Sequence, residues 1–264
     1  MNYLLYPALA GLLVLPPALF AQTSTYSQRV GADTYVSSGQ PNVNFGSQGA
    51  MEIAAPTAAQ PRTQIALLRF DTAAMQTSFD TDYGAGNWTV TGVTLSLFSN
   101  FALAGVQPGN ASFNKIAAGG FEFDLLGNNS WSESAITWNT LPTLLPGANN
   151  ANTLTPLGTF TWNATGAASS VWTLNAGQPL VDAISAGTQV TLLGQPTTGS
   201  TVGYLFNTLG SNPGYLNVTV EAVPEPSTFN FVVFSATTLL CLRRKLSTPS
   251  PNDKGLVDGR EGGE

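Results

Sequence analysis

The chain has 264 residues and a formal net charge of −6, with 9 Lys and Arg against 15 Asp and Glu; 9% of its residues are charged and 43% hydrophobic. Histidine is missing and the lone cysteine is Cys241, which excludes Ser-His-Asp and Cys-His nucleophile systems, histidine-containing zinc sets and any internal disulfide. Ahead of Arg243 the cations are Arg29, Arg62, Arg69 and Lys115, too few and too scattered to neutralise phosphates, so no nucleic-acid partner is expected.

Residues 1–21 read as a secretory signal peptide: an apolar run from Leu4 to Phe20, interrupted by Pro16-Pro17, closes on Ala21 before the polar Gln22-Thr23-Ser24. The competing reading is a retained N-terminal membrane anchor, for which the run is short and broken. Residues 22–222 then form one domain, a size that an all-β fold reaches in one piece. Without a disulfide it must stand on its apolar core.

Period-two alternation dominates this body. Val93, Leu95 and Leu97, then Phe121, Phe123 and Leu125, then Leu216, Val218 and Val220 alternate with mostly polar neighbours, and each set predicts a strand with one buried face. Further strands are expected at Ala32 to Val36, Met51 to Ala54, Gln64 to Phe70, Gly158 to Trp162, Gln189 to Leu193 and Val202 to Phe206. Turn-forming Gly, Asn and Pro separate them, as in Gly39-Gln40-Pro41-Asn42 and Gly127-Asn128-Asn129. Only Pro179 to Ala186 reads as helical, with Pro179 in the first turn and Leu180, Val181 and Ile184 on one face. The expected fold is all-β: an antiparallel, jelly-roll-like β-sandwich with one short helix, a closed barrel being the alternative. Ala54 to Arg62 and Pro142 to Leu157 are expected to cross its surface or ends.

Candidate chemistry is sparse. Glu122 and Asp124 lie two apart on one strand, so both leave it on the same side, about 6 to 7 Å apart by strand rise, near the spacing of an inverting glycosidase pair. Their outward phase makes a solvated face the preferred reading. Asp80 and Asp82 offer oxygen ligands to calcium or serve as an acidic turn. Arg69 and Asp71 flank Phe70 and are read as an ion pair or hydrogen-bond anchor at a strand end. No arrangement of Tyr35, Tyr204, Lys115 and Arg69 suggests lyase chemistry, and no cofactor, metal or catalytic residue is expected. Trp88, Trp162 and Trp172 are the candidates for stacking on sugar rings.

The C-terminal region is tripartite: the kink Pro224-Glu225-Pro226, the uncharged run Phe229 to Leu242, and the basic stop Arg243-Arg244-Lys245. Residues 223–245 resemble the PEP-CTERM sorting signal. That resemblance implies a transmembrane helix at 229–242, an exosortase-type processing enzyme as partner, and delivery to the cell surface or extracellular matrix with exopolysaccharide. As a helix the run is about 21 Å long against a hydrocarbon core of about 30 Å, so it spans only if its flanks enter the interface or the bilayer thins. The stop would stay cytoplasmic, leaving Pro-Glu-Pro outside. Residues 246–264 are expected to be a disordered polar tail.

A second resemblance covers most of the body, from about residue 29 to 221. The succession Ala32-Asp33-Thr34-Tyr35-Val36, Asn44-Phe45-Gly46-Ser47, Leu67-Leu68-Arg69-Phe70-Asp71, and Trp131-Ser132-Glu133 with Ile136-Thr137-Trp138-Asn139 and Pro142 resembles the DNRLRE family. That family is similar to carbohydrate-binding module family 96, β-sandwich domains attached to polysaccharide-acting and cell-surface proteins. The resemblance assigns Trp131 and Trp138 to the structural block, with sugar stacking as their competing role. Together these features predict an exported, non-enzymatic surface protein associated with exopolysaccharide. A carbohydrate-binding module and a polysaccharide lyase or glycosidase are the alternatives.

Overall fold

The computed structural model describes residues 22–100, 113, 116–148, 150–164, 168–210 and 212–223. The expected leader and the whole sorting tail, including Pro224, Glu225, Pro226, Arg243, Arg244 and Lys245, lie outside the described residues. Among the described residues no helix is long and apolar enough to cross a membrane.

Two antiparallel sheets make the fold. The first has four strands in the order β1 (Thr23–Arg29), β11 (Tyr215–Ala222), β5 (Trp88–Phe98) and β8 (Ser169–Leu174). The second runs β10 (Gly203–Asn207), β3 (Ala50–Ala54), β4 (Gln64–Asp71), β9 (Gln189–Pro196), β6 (Gly119–Leu126) and β7 (Leu154–Trp162), with β2 (Ala32–Ser37) also paired along β4. Between the sheets, Val93, Leu95 and Leu97 of β5 and Leu216, Val218 and Val220 of β11 meet Leu68 and Phe70 of β4, Phe121 and Phe123 of β6 and Leu192 of β9. Burying such side chains supplies the main driving force, about 1.5–3 kcal/mol for each.

The seven-stranded sheet is buried on its other side as well. Ala32, Val36, Ile65, Leu67, Leu126 and Leu193 face outward under Trp131, Ile136, Leu141 and Leu144, which form a second, smaller core. Both faces of β2 and β4 are therefore covered, and their burial is almost continuous. By contrast, β5 and β11 alternate between buried and part-exposed positions, because nothing comparable covers the outer face of their sheet among the described residues.

The all-β sandwich is as expected, but the helix content differs. Among the described residues there are two helices, α1 (Ala73–Tyr83) and α2 (Gln178–Ser185), with a 3₁₀ turn at Leu141–Thr143. The helix α1 buries only Met75 and Phe79, an i, i+4 pair amid Thr, Ser, Gln and Asp, too thin an apolar stripe for sequence periodicity to register. Thr77, Ser78 and Thr81 turn their hydroxyls back onto the helix carbonyls four residues earlier. Strands β1 and β8 were also not anticipated: each is an edge strand with few inward apolar residues, Tyr26 in one and Trp172 and Leu174 in the other. Finally, Leu154 to Leu157 belongs to β7 and does not cross the surface. A bulge there places Leu157 opposite no residue of β6, and Gly158 follows with φ +146, where a side chain would also strike the Phe160 ring at 2.8 Å.

Candidate functional site

The family-like motifs, scattered over more than a hundred residues of sequence, converge on one structural clasp. Asn44 Nδ2 donates to the carbonyls of Glu133 and Ile136, both at 2.8 Å, and Asn44 Oδ1 accepts from Gly46 N. Phe45 stacks on Tyr35 with centroids 4.3 Å apart and planes at 18°. Gly46 must be glycine because a Cβ there would stand 2.2 Å from the Glu133 carbonyl oxygen. Asn139 closes the other end, donating its amide Nδ2 to Asn42 Oδ1 at 2.7 Å and its backbone N–H to Pro41 O at 3.1 Å.

Arg69 fastens the same block from below. Its guanidinium donates to the carbonyls of Trp131 (2.7 Å) and Asn129 (3.2 Å) and lies 4.8 Å from the Trp131 ring centroid. Trp131 itself is buried and donates Nε1–H to Thr191 Oγ1 at 3.1 Å, while Trp138 packs half-buried against the same small core. The anchor expected at Arg69 is therefore present, with backbone carbonyls rather than Asp71 as its partners; Asp71 accepts from the Ala73 N–H at the start of α1. Next to the clasp, Asp33 Oδ2 accepts from the Leu209 N–H at 2.6 Å, and its Oδ1 finds no hydrogen-bond partner among the described residues. Burial pushes this carboxyl up to about 7, with Glu133 adding to the rise and the Leu209 N–H and Arg29 opposing it.

The carboxylate pair on β6 is not a solvated face. Glu122 is half-buried and Asp124 is buried, because the chain after β6 folds back over this side of the sheet. Both accept from the single amide nitrogen of Gln195, each at 2.9 Å. Burial raises the Asp124 pKa, and the neighbouring Glu122 charge raises it further. The two acids thus share one neutral donor on one surface, the arrangement of a buried polar contact rather than of acids poised across a bound sugar.

Asp80 and Asp82 are likewise engaged in holding α1. Asp80 Oδ1 accepts from Trp88 Nε1 at 2.8 Å, its Oδ2 accepts from Gln76, and Asp82 Oδ2 accepts from the Tyr26 hydroxyl at 2.6 Å. Among the described residues no group of three or more His, Cys, Asp and Glu could hold a metal ion.

The three candidate stacking tryptophans all join ring clusters. Trp162 is buried with its ring 4.6 Å from Tyr204; Trp172 is half-buried, edge-on to Phe121 at 5.0 Å; Trp88 is half-buried, edge-on to Phe79 at 4.8 Å. The structure does not bring them together as one platform. Tyr35 and Tyr204 are fully buried, and burial pushes the Tyr204 hydroxyl up to about 12. Lys115 lies outside the described residues.

The outer face of the four-stranded sheet presents regular rows of side chains. Strand register aligns Arg29, Tyr215, Ser96 and Val171 in one row, Ser27, Asn217, Thr94 and Thr173 in the next, then Thr25, Thr219 and Gly92, then Thr23, Glu221 and Thr89. Lateral hydrogen bonds tie the rows together. Ser27 Oγ donates to Asn217 Oδ1 at 2.7 Å, Asn217 Nδ2 donates to Ser96 Oγ at 2.9 Å and Thr94 Oγ1 at 3.3 Å, and the hydroxyls of Thr25 and Thr219 meet at 3.0 Å. Tyr215 and Val171 stand exposed on this face, at 38% and 60%. Sequence reasoning did not single out Tyr215, although it is the aromatic at the outward phase of the Leu216, Val218, Val220 alternation.

Residues 24–207 match the family model of carbohydrate-binding module family 96. The chain belongs to carbohydrate-binding module family 96. The match takes in β2 to β10, nearly all of β1, and the whole clasp that locks the loop at 41–46 onto the block at 129–139. The central strand β11 lies beyond the matched span. No curated protein matches the sequence.

Proposed function

We propose that this family 96 member is an exported, non-enzymatic carbohydrate-binding protein, carried to the cell surface or matrix by its C-terminal tail and held there on exopolysaccharide. The observation that carries the binding activity is the family match over residues 24–207. A non-catalytic role fits the engagement of Glu122, Asp124, Asp80 and Asp82 in internal hydrogen bonds. Export and sorting rest on the sequence alone. The leader would end at Ala21, an exosortase-type enzyme would act at Pro224, Glu225 and Pro226, and Arg243, Arg244 and Lys245 would hold the 229–242 helix in the membrane until then. Of the candidate tryptophans, Trp162 is buried, and Trp88 and Trp172 are half-buried in ring clusters against the inter-sheet core, so sugar stacking on them is not part of this reading.

Binding is tested by affinity electrophoresis of the full chain through gels containing a panel of polysaccharides. Retardation by at least one polymer is expected, and uniform mobility across the panel refutes the binding. Sorting is tested separately by deleting residues 223–264. The truncated protein should no longer reach the cell surface; delivery in the same amount and form would refute the role of the tail.

A further inference from the structure

We propose that the outer face of the four-stranded sheet is the binding surface and that its ligand is an uncharged polysaccharide chain; this rests on the carbohydrate-binding reading. The argument begins with charge. Arg62 and Arg69 donate to backbone carbonyls, of Phe113 in one case and of Asn129 and Trp131 in the other. Arg29, at one end of the face, donates to Leu209 O at 2.5 Å. Between Arg29 and Glu221 the rows consist of Ser, Thr, Asn, Gly, Tyr and Val. A polyuronate or sulfated chain would meet this face without a compensating cluster of cations, on a protein already negative. A neutral sugar chain requires none.

The chemistry of the face suits such a chain. Adjacent strands are about 4.8 Å apart and outward residues about 6.8 Å apart along a strand, so the rows form a regular lattice of short polar side chains, broken by a bulge at Thr219/Val220. The hydroxyls and the Asn217 amide are held by each other. Side chains fixed in advance lose little rotamer freedom when a ligand settles on them. Tyr215 supplies an exposed ring for the apolar face of a pyranose, with its hydroxyl as a polar handle, and Val171 lies two strands away on the same row.

The test uses the full chain in a zwitterionic detergent on an array of β-glucans, xylans, mannans and α-glucans beside pectate and dextran sulfate. Binding to at least one neutral polymer, unchanged between about 0.05 and 0.5 M salt, is expected. Tyr215→Ala should weaken that binding about tenfold, the loss of one stacked ring. Val171→Arg, at a position that is already exposed and tolerant, should weaken it too, whereas Val43→Arg, exposed away from the sheet, should leave it intact. Neutral binding that survives both Tyr215→Ala and Val171→Arg overturns the face while leaving the carbohydrate-binding reading in place. Binding confined to pectate or dextran sulfate and abolished by salt overturns the ligand class. Loss of self-association in Tyr215→Ala without any effect on glycan binding would assign the face to a second copy of the chain and also overturn the proposal. No binding to any polymer refutes the underlying reading itself.

Discussion

Asp33 makes the stability of this protein fall as pH rises through neutrality. Its carboxyl is raised from 3.8 to about 7 by burial, so between these values the folded chain holds a proton that the unfolded chain has released. The folded state then binds more protons than the unfolded one, and stability declines with increasing pH across that window. For a single group moving from 3.8 to 7, the loss between about pH 5 and pH 8 is roughly 2.5 kcal/mol. Asp33→Asn should remove this dependence. The asparagine Oδ1 can still accept from the Leu209 N–H, while its NH₂ would occupy the place of the carboxylate oxygen that has no partner. Leaving that NH₂ unbonded carries a pH-independent cost of about 1–3 kcal/mol, so the decisive quantity is the change in the difference between variant and parent. Urea unfolding at a series of pH values should show Asp33→Asn gaining roughly 2.5 kcal/mol relative to the parent from about pH 5 to pH 8. A constant difference, or one that shifts toward the parent, refutes the reasoning.

Three other outcomes follow from the same geometry. Gly46→Ala places a methyl carbon 2.2 Å from the Glu133 carbonyl oxygen and should cost about 2 kcal/mol or more, a drop of roughly 4–8 °C in Tm by calorimetry; an unchanged Tm would show that the clasp yields freely. Arg69→Met removes the Nη1 group that donates to two backbone carbonyls and the cation over Trp131, and should destabilise by about 2–4 kcal/mol in denaturant titration; an unchanged midpoint would refute its role as the anchor of the block. Glu122→Gln removes the charge that helps raise Asp124, so carboxyl NMR should find the Asp124 titration shifted downward, and an unmoved titration would leave burial as its sole cause.

Strands with one solvated face were the most legible part of the fold. In β5 and β11 the apolar residues occupy every second position because one side packs and the other meets water. The same logic misled at β6: Glu122 and Asp124 sit at the outward phase, and alternation reports only which side of the strand a residue leaves, not what folds back over that side. Covering by the chain after β6 is a long-range event without local periodicity. Edge strands β1 and β8 escaped because an edge of Ser and Thr needs few apolar contacts once a neighbour supplies its backbone hydrogen bonds. The clasp residues could be recognised as a motif, but their pairing could not: Asn44 meets Glu133 and Ile136 through backbone carbonyls, which every residue type carries. The tryptophans drew attention by size, whereas Tyr215 is distinguished only by its phase, which has meaning once the sheet is known.

The strand order also dictates when the molecule can finish assembling. In the first sheet β11 lies between β1 and β5 and pairs with both, although it comes last in sequence among the described strands. A nascent chain therefore carries β1 unmatched until nearly two hundred further residues have been made, and closure of this sheet must wait for β11 to slot into the gap. Such long-range pairing slows folding, so the four-stranded sheet closes later than its seven-stranded partner, whose strands have all been made by Asn207.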